Sequence, residues 1–162
     1  MIVYHGSVVS VEVPIILGSE RMLDFGNGFY TTSNKDQANR WSEIVAEKRK
    51  TKTRIITEYE FDLETAKNAL LVVSFDKPNA EWLDFVCSNR NGQKPPVSYD
   101  IAIGPVANDQ VYAVVTLYEQ GVLSKEAAII ELRVRKLYNQ ILFHTEESLK
   151  CCQYIRHTII GG

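Results

Sequence analysis

The sequence predicts a single α+β domain, and three observations lead there. Strand-like and helix-like segments mix along the chain without the regular strand–helix–strand alternation of a doubly wound parallel sheet. The 162 residues are 45% hydrophobic, which suits one compact core and is too apolar for a disordered chain. No internal repeat, low-complexity tract or linker divides them, so the domain is read as spanning 1–162.

Met1–His5 is a short apolar strand that runs into His5-Gly6-Ser7. Ser7–Val13 alternates only in part, and Pro14 either stops it or confines it to a sheet edge. Gly18–Asp24 is a polar connection into Phe25-Gly26-Asn27-Gly28. Two glycines there let the backbone turn sharply or approach a ligand closely, and Gly-Asn-Gly before a strand is also simply a turn. Phe29-Tyr30-Thr31-Thr32 are aromatic and β-branched, the types that suit a strand. Ser33 and Asn34 offer side-chain oxygens to the first free N–H groups of a helix from Lys35 to about Lys50. Ala38, Trp41 and Val45 recur there at spacings of three and four, which turns Trp41 toward the buried side.

Arg54–Asp62 alternates Ile56, Glu58 and Glu60 against Ile55, Thr57, Tyr59 and Phe61, the pattern of a half-buried strand. Leu70–Phe75 is a short apolar strand. Pro78-Asn79 opens a helix to about Asn89, with Trp82, Phe85, Val86 and Asn89 on one side. Asn91–Pro96 holds a glycine and two prolines and reads as an exposed, mobile loop. Tyr99–Ile103 is a strand closed by Gly104-Pro105. Asp109 caps a helix over Gln110–Gln120 that Gly121 stops, and Ser124 caps another to about Lys136. Asn139–Thr145 is a strand, Glu146–Lys150 a helical turn, and Cys151–Ile160 the closing strand.

The formal net charge of -2 supplies no bulk attraction to nucleic acid or to an anionic membrane. Lys48-Arg49-Lys50, with Lys52 and Arg54 behind, is the dense basic run, and cations there suit the negative end of a helix. Met1 leads straight into Ile2-Val3-Tyr4, so no signal peptide is expected, and no run approaches the roughly 18 apolar residues of a membrane span. Cys87, Cys151 and Cys152 are odd in number and two are adjacent, a poor disulfide framework without zinc spacing. They are read as reduced thiols of a cytoplasmic protein. His5, His144 and His157 lack metal-ligand spacing, so no metal is expected and no membrane partner.

Several residues have both a structural and a chemical reading. His5 at a strand end is a buried histidine satisfying a backbone carbonyl, or a ligand-holding group. Tyr30 and Trp41 taken singly are core aromatics. Gln140 is a polar residue in an otherwise apolar strand and needs a partner if buried. Period-two alternation sets Gln140, Leu142 and His144 on one face, so Gln140 and His144 either share a cleft or face water at a sheet edge. Asp109 is first a helix cap and Asp100 first a turn acceptor, with a substrate role the minor alternative for each. Asn89-Arg90 is an exposed helix end, or approaches a phosphate.

Three stretches together resemble the diphtheria-toxin and poly(ADP-ribose) polymerase type of ADP-ribosyltransferase: Tyr4-His5-Gly6-Ser7, Phe25-Gly26-Asn27-Gly28-Phe29-Tyr30, and Asn139-Gln140. The resemblance implies a split antiparallel or mixed sheet with flanking helices. It also implies that His5 holds a ribose hydroxyl of NAD, Gly6 and Ser7 meet the same ligand, and the Gly6 backbone binds the carboxamide. Gly28 belongs to the glycine stretch before Tyr30, whose ring packs on the nicotinamide. Trp41, eleven residues on, stands where the family has its second ring-sandwiching aromatic. Gln140 stands where the family has a glutamate that holds the nicotinamide ribose. More narrowly, the whole chain is similar to small bacterial ADP-ribosyltransferase-like proteins that carry forms of the run at Tyr99–Asp109. That likeness implies a toxin–antitoxin setting.

Two departures from the family pattern bear on activity. Gln140 hydrogen-bonds but offers no negative charge to a developing cation, a loss of about 10²–10³ in rate for one preorganised group. Ala38 stands where the better-known polymerases have a serine. The function expected is mono-ADP-ribosyl transfer from NAD, a substrate here, to a protein or nucleic-acid acceptor, with His5, Tyr30 and Gln140 central. A catalytically degenerate NAD- or ADP-ribose-binding domain, RNA 2′-phosphotransfer on the same scaffold, and an interaction module without an NAD site are the rivals.

Overall fold

A computed structural model describes residues 1–18, 23–106, 109–133 and 137–161. The described residues form seven strands and six helices, an α+β fold. In chain order these are β1 (Ile2–Ser7), β2 (Phe29–Thr32), α1 (Lys35–Arg49), β3 (Arg54–Phe61), α2 (Leu63–Ala69), β4 (Val72–Ser74) and α3 (Ala80–Arg90). There follow β5 (Ile101–Pro105), α4 (Asp109–Glu119), α5 (Lys125–Arg133), β6 (Asn139–Phe143), α6 (Glu146–Leu149) and β7 (Cys152–Gly161). Asn108 and the side chain of Asp109 lie outside what is described, and with them the capping reading of Asp109.

The strands make one mixed sheet in the order β4-β5-β6-β2-β1-β3-β7, parallel between β4 and β5 and antiparallel elsewhere. Its middle is narrow. Among the described residues β1 and β2 register at one pair, Tyr4 with Thr32. By contrast β1 pairs with β3 from Ile2 through Ser7, and β2 pairs with β6 along its whole length. Two half-sheets therefore meet at a single rung, the form in which the expected split is present.

Each face carries its own core. Ala102 and Leu142, registered partners, point toward α3, α4 and α5 and pack with Phe25, Trp82, Phe85 and Val115. Ile101, Ile141 and Phe143 alternate to the other face, over Val3, Tyr59, Phe61 and the α2 residue Ala66. The caps are as the sequence suggests. Asn34 Oδ1 accepts the Gln37 N–H and Asn79 Oδ1 the Trp82 N–H, while Ser124 Oγ accepts the Ala127 N–H.

Four expectations need correction. Ser7–Val13 contributes only Ser7 to the sheet; the segment beyond crosses β3, with the Val11 N–H on Thr57 Oγ1 and the Val11 carbonyl accepting from the Tyr59 hydroxyl. Hydroxyl groups thus replace ladder bonds. Arg54–Asp62 is not half-buried: Ile55, Ile56, Thr57, Glu58 and Tyr59 are all buried, because both faces of β3 are covered. Glu58 remains charged there because Lys35 Nζ and Arg156 Nε each lie 2.9 Å from one of its oxygens. These cations, Lys35 first, hold its carboxyl below the usual range. Helix α2 was not expected, although Asp62 caps it through the Thr65 N–H and hydroxyl. Asn139–Thr145 forms a strand only to Phe143.

Helix α1 is set by Gly6. A Cβ at Gly6 would stand 1.9 Å from the Ala38 carbonyl oxygen and 2.9 Å from the Ser42 nitrogen, so backbone lies on backbone. We expect Gly6→Ala to lower the unfolding free energy by about 2 kcal/mol or more in a urea titration. Ala38→Gly should not rescue it, because the clash is with the main chain. An unchanged urea midpoint in Gly6→Ala would show that α1 sits farther from β1.

Candidate functional site

The narrow middle of the sheet brings the first two motif stretches together. His5 spans the gap beyond the Tyr4–Thr32 rung: its Nδ1–H donates to the Tyr30 carbonyl oxygen at 2.8 Å. Its ring lies 4.6 Å from that of Phe29. Because a carbonyl only accepts, the bond places the proton on Nδ1 and leaves Nε2 its lone pair. Burial holds the imidazole below its ordinary 6.5, against the opposing pull of the carbonyl bond, so the ring is neutral at pH 7.

Tyr30 is fixed at its far end. Its hydroxyl donates to the Gly26 carbonyl at 2.6 Å and accepts the Phe25 N–H at 3.2 Å, folding the side chain back over the glycine loop. Burial raises the phenol far above its ordinary range, so it stays protonated. The two loop glycines answer to the protein's own packing. Gly26 has φ +86° and a Cβ there would meet the Tyr99 hydroxyl at 2.7 Å. Gly28 has φ +153° and its Cβ would lie 2.3 Å from the Phe143 carbonyl oxygen, against β6.

Gln140 sits inside the sheet, registered with Thr32 on β2 and Gly104 on β5. Tyr30 registers with Leu142, so Tyr30, Thr32, Leu142 and Gln140 share one face. Gln140 is 5% exposed, and its Nε2 is buried without a hydrogen-bond partner. A buried amide N–H left unpaired costs free energy, and nothing in the sheet accounts for it. His144 does not join it. Residue 144 lies past the end of β6, about 13 Å along the chain from Gln140 at strand rise. There its Nδ1–H donates to the Asn27 carbonyl at 2.6 Å and its ring stacks on Tyr99. The water-facing alternative also falls, because β6 is interior to the sheet.

Trp41 is the clearest correction. The buried face of α1 is Ala38, Ser42 and Ala46, at a spacing of four, and Trp41 is 52% exposed. The close approach of α1 to Gly6 leaves room for small side chains only and turns the indole outward. Ser7 ends β1, half-buried and registered with Ile55. Asp100 behaves as a structural acceptor: Oδ2 takes the Leu71 N–H and Oδ1 the Thr145 hydroxyl, both at 2.9 Å. Asn89 and Arg90 are not an exposed helix end. Asn89 is buried, and the Arg90 guanidinium lies 3.9 Å over the Tyr112 ring with Nη1 buried and unpartnered.

A cavity of about 360 Å³ adjoins the glycine loop, lined among others by Gly26, Asn27, Asn89, Tyr99 and His144. A larger one of about 660 Å³ lies by Met1, Asp62, Glu64, Glu147 and Lys150. Neither is lined by His5, Tyr30 or Gln140. Sequence reasoning missed the first cavity, although its signal was present in the buried pair of Asn89 and Tyr99. Among the described residues no three His, Cys, Asp or Glu side chains are grouped to hold a metal ion. The motif residues together offer a pinned aromatic ring, an exposed indole, an imidazole acceptor and a buried amide donor. Each of these groups singly suits a neutral planar ring or a hydroxyl group, and there is no carboxylate among them.

A family model described as "Protein of unknown function (DUF3990)" matches residues 1–154. No curated protein and no solved structure matches the chain.

Two outcomes follow from this geometry. Trp41→Ala should change stability by no more than about 0.5 kcal/mol, since its ring is outside the core; a core tryptophan would cost about 3–5 kcal/mol. The second concerns acid. The folded-state pKa of His5 is depressed below 6.5, so the unfolded chain binds the extra proton first as pH falls. The stability His5 contributes is therefore complete above about 6.5 and is lost as pH drops through the lower folded value. Thermal melts from pH 7.5 to 5 should show that loss in the parent chain and a flatter profile in His5→Gln; parallel profiles would contradict it.

Proposed function

The chain belongs to the DUF3990 family of proteins of unknown function, which its residues 1–154 match, and from its site we propose a mono-ADP-ribosyltransferase that uses NAD as substrate. The observation that carries this reading is the unpaired, buried Nε2 of Gln140 on the same face as Tyr30. It is a donor that the fold positions and does not use. In the reading, the nicotinamide ring lies against Tyr30 with Trp41 toward its other side, and the Gly6 and Ser7 backbone meets the carboxamide. His5 Nε2 accepts a hydrogen bond from a ribose hydroxyl, and Gln140 donates one to a ribose oxygen.

The bond between C1′ and the nicotinamide nitrogen breaks with its electron pair going to the leaving group, which departs neutral. The ribose cation left behind is captured by an acceptor nucleophile, protein or nucleic acid, which gives up its proton. An exposed Trp41 supports a binding role, because the indole is not used by the core. Three free cysteines support a reducing, cytoplasmic setting, and among the described residues no helix is long and apolar enough to cross a membrane. The resemblance extends the proposal to a toxin with a cognate antitoxin.

One observation favours a second reading. Gln140 brings no charge to the developing cation, which fits a domain that binds NAD or ADP-ribose without cleaving it. Nicotinamide release from NAD separates the two. We expect release from the purified protein to fall at least about a hundredfold in His5→Ala and Tyr30→Ala, and Gln140→Glu to raise it by about 10²–10³. Thermal stabilisation by NAD without release, abolished in Tyr30→Ala, would select the binding domain. Neither release nor stabilisation would sink both readings.

A further inference from the structure

The cavity of about 360 Å³ lies between the Gly26-Asn27 turn and the segment from Gly92 to Tyr99. Its volume falls in the range of about 300–1,000 Å³ usual for small-molecule sites. Its floor is a fixed pair of rings: Tyr99 is 8% exposed and stacks on His144 with centroids 4.6 Å apart and planes 26° from parallel. Each ring is tied at its far atom. The Tyr99 hydroxyl donates to the Phe25 carbonyl at 2.6 Å, and His144 Nδ1–H donates to the Asn27 carbonyl at 2.6 Å, leaving Nε2 as an acceptor.

Asn89 stands at one wall. Its Nδ2 gives one N–H to the Phe85 carbonyl at 3.1 Å, its Oδ1 lies 3.4 Å from the Tyr99 hydroxyl, and the other N–H remains for a second group. Pro95 and Val97 form the apolar side opposite, in a segment started by a tight turn, the Gly92 N–H on the Asn89 carbonyl and the Gln93 N–H on Ser88. Among the described residues the lining contains one formal charge, Lys94, and no carboxylate.

We infer that this cavity binds one nucleotide, its base against the Tyr99–His144 rings, its edge on the Asn89 amide, and its phosphate at Lys94. Amide side chains match the donor–acceptor edges of bases, and aromatic and apolar walls match their faces. A lysine supplies the counter-charge for a phosphate, and the lack of any carboxylate disfavours a cationic ligand. Free mononucleotides and the phosphorylated end of a nucleic-acid strand share this chemistry. The site is independent of the NAD reading, because none of His5, Tyr30 and Gln140 lines it.

The test is amide NMR of the ¹⁵N-labelled full chain titrated with adenosine 5′-monophosphate, then with adenosine, and then with a 5′-phosphorylated adenine tetranucleotide of RNA. The expected shifts cluster at 23–27, 89–99 and 144. Lys94→Ala should weaken the monophosphate about tenfold and leave adenosine unchanged, and Ser98→Trp should block both. These two positions are exposed, so the fold is kept. Tighter binding of the tetranucleotide would identify the strand end as the source, and tighter binding of the monophosphate the free nucleotide; either result upholds the site. His5→Ala should leave the monophosphate affinity as it was, and Lys94→Ala should leave nicotinamide release as it was. No shifts at millimolar monophosphate, or shifts that vanish in His5→Ala and persist in Lys94→Ala, would overturn the inference.

Discussion

The contact of helix α1 with strand β1 at Gly6 governs much of this structure. With the Ala38 carbonyl where a Cβ would stand, the helix lies as close to the sheet as main-chain atoms allow. Only small residues then fit beneath it, and Ala38, Ser42 and Ala46 supply them. The same closeness turns Trp41 outward and brings Lys35 within 2.9 Å of Glu58. One missing methyl thus decides the helix face, the tryptophan's setting and the Lys35–Glu58 ion pair of β3.

The second constraint is the single rung between β1 and β2. Where two half-sheets meet so briefly, other bonds must keep them in register, and the His5–Tyr30 hydrogen bond is one of them. Beyond the rung, β1 follows β3 and β2 follows β6, so a gap opens at the end of the sheet that carries Ser7 and Gly28. Glu58 secures the outer half by joining Lys35 of α1 to Arg156 of β7. Removing either cation would leave the buried Glu58 charge less well compensated.

Much of the fold was legible because its signals are local. The caps at Asn34, Asn79 and Ser124 lie within a few residues of the helices they start, and alternation marked β3 and β6. The failures came from partners distant in sequence. Trp41 follows the helical period of the apolar face, yet Gly6, thirty-five positions away, decides which stripe is buried. The alternation of β3 hid its second cover, because Glu58 reads as solvent-facing until Lys35 and Arg156 are placed. His5 holds a backbone carbonyl, the plainer of its two readings, through Nδ1. Gln140 reads as needing a partner if buried, and it is buried with Nε2 unpartnered; the strand period set it beside His144, but the strand ends one residue short.

Gly26 has a position that reaches past its own turn. Its carbonyl receives the Tyr30 hydroxyl, while its α-carbon rests against the Tyr99 hydroxyl and Asn89. One residue therefore touches both the Tyr30 side chain and the cavity beside Tyr99. A displacement of this turn that loosens Tyr30 also changes the room beside Tyr99, so a side chain placed at Gly26 would disturb both at once.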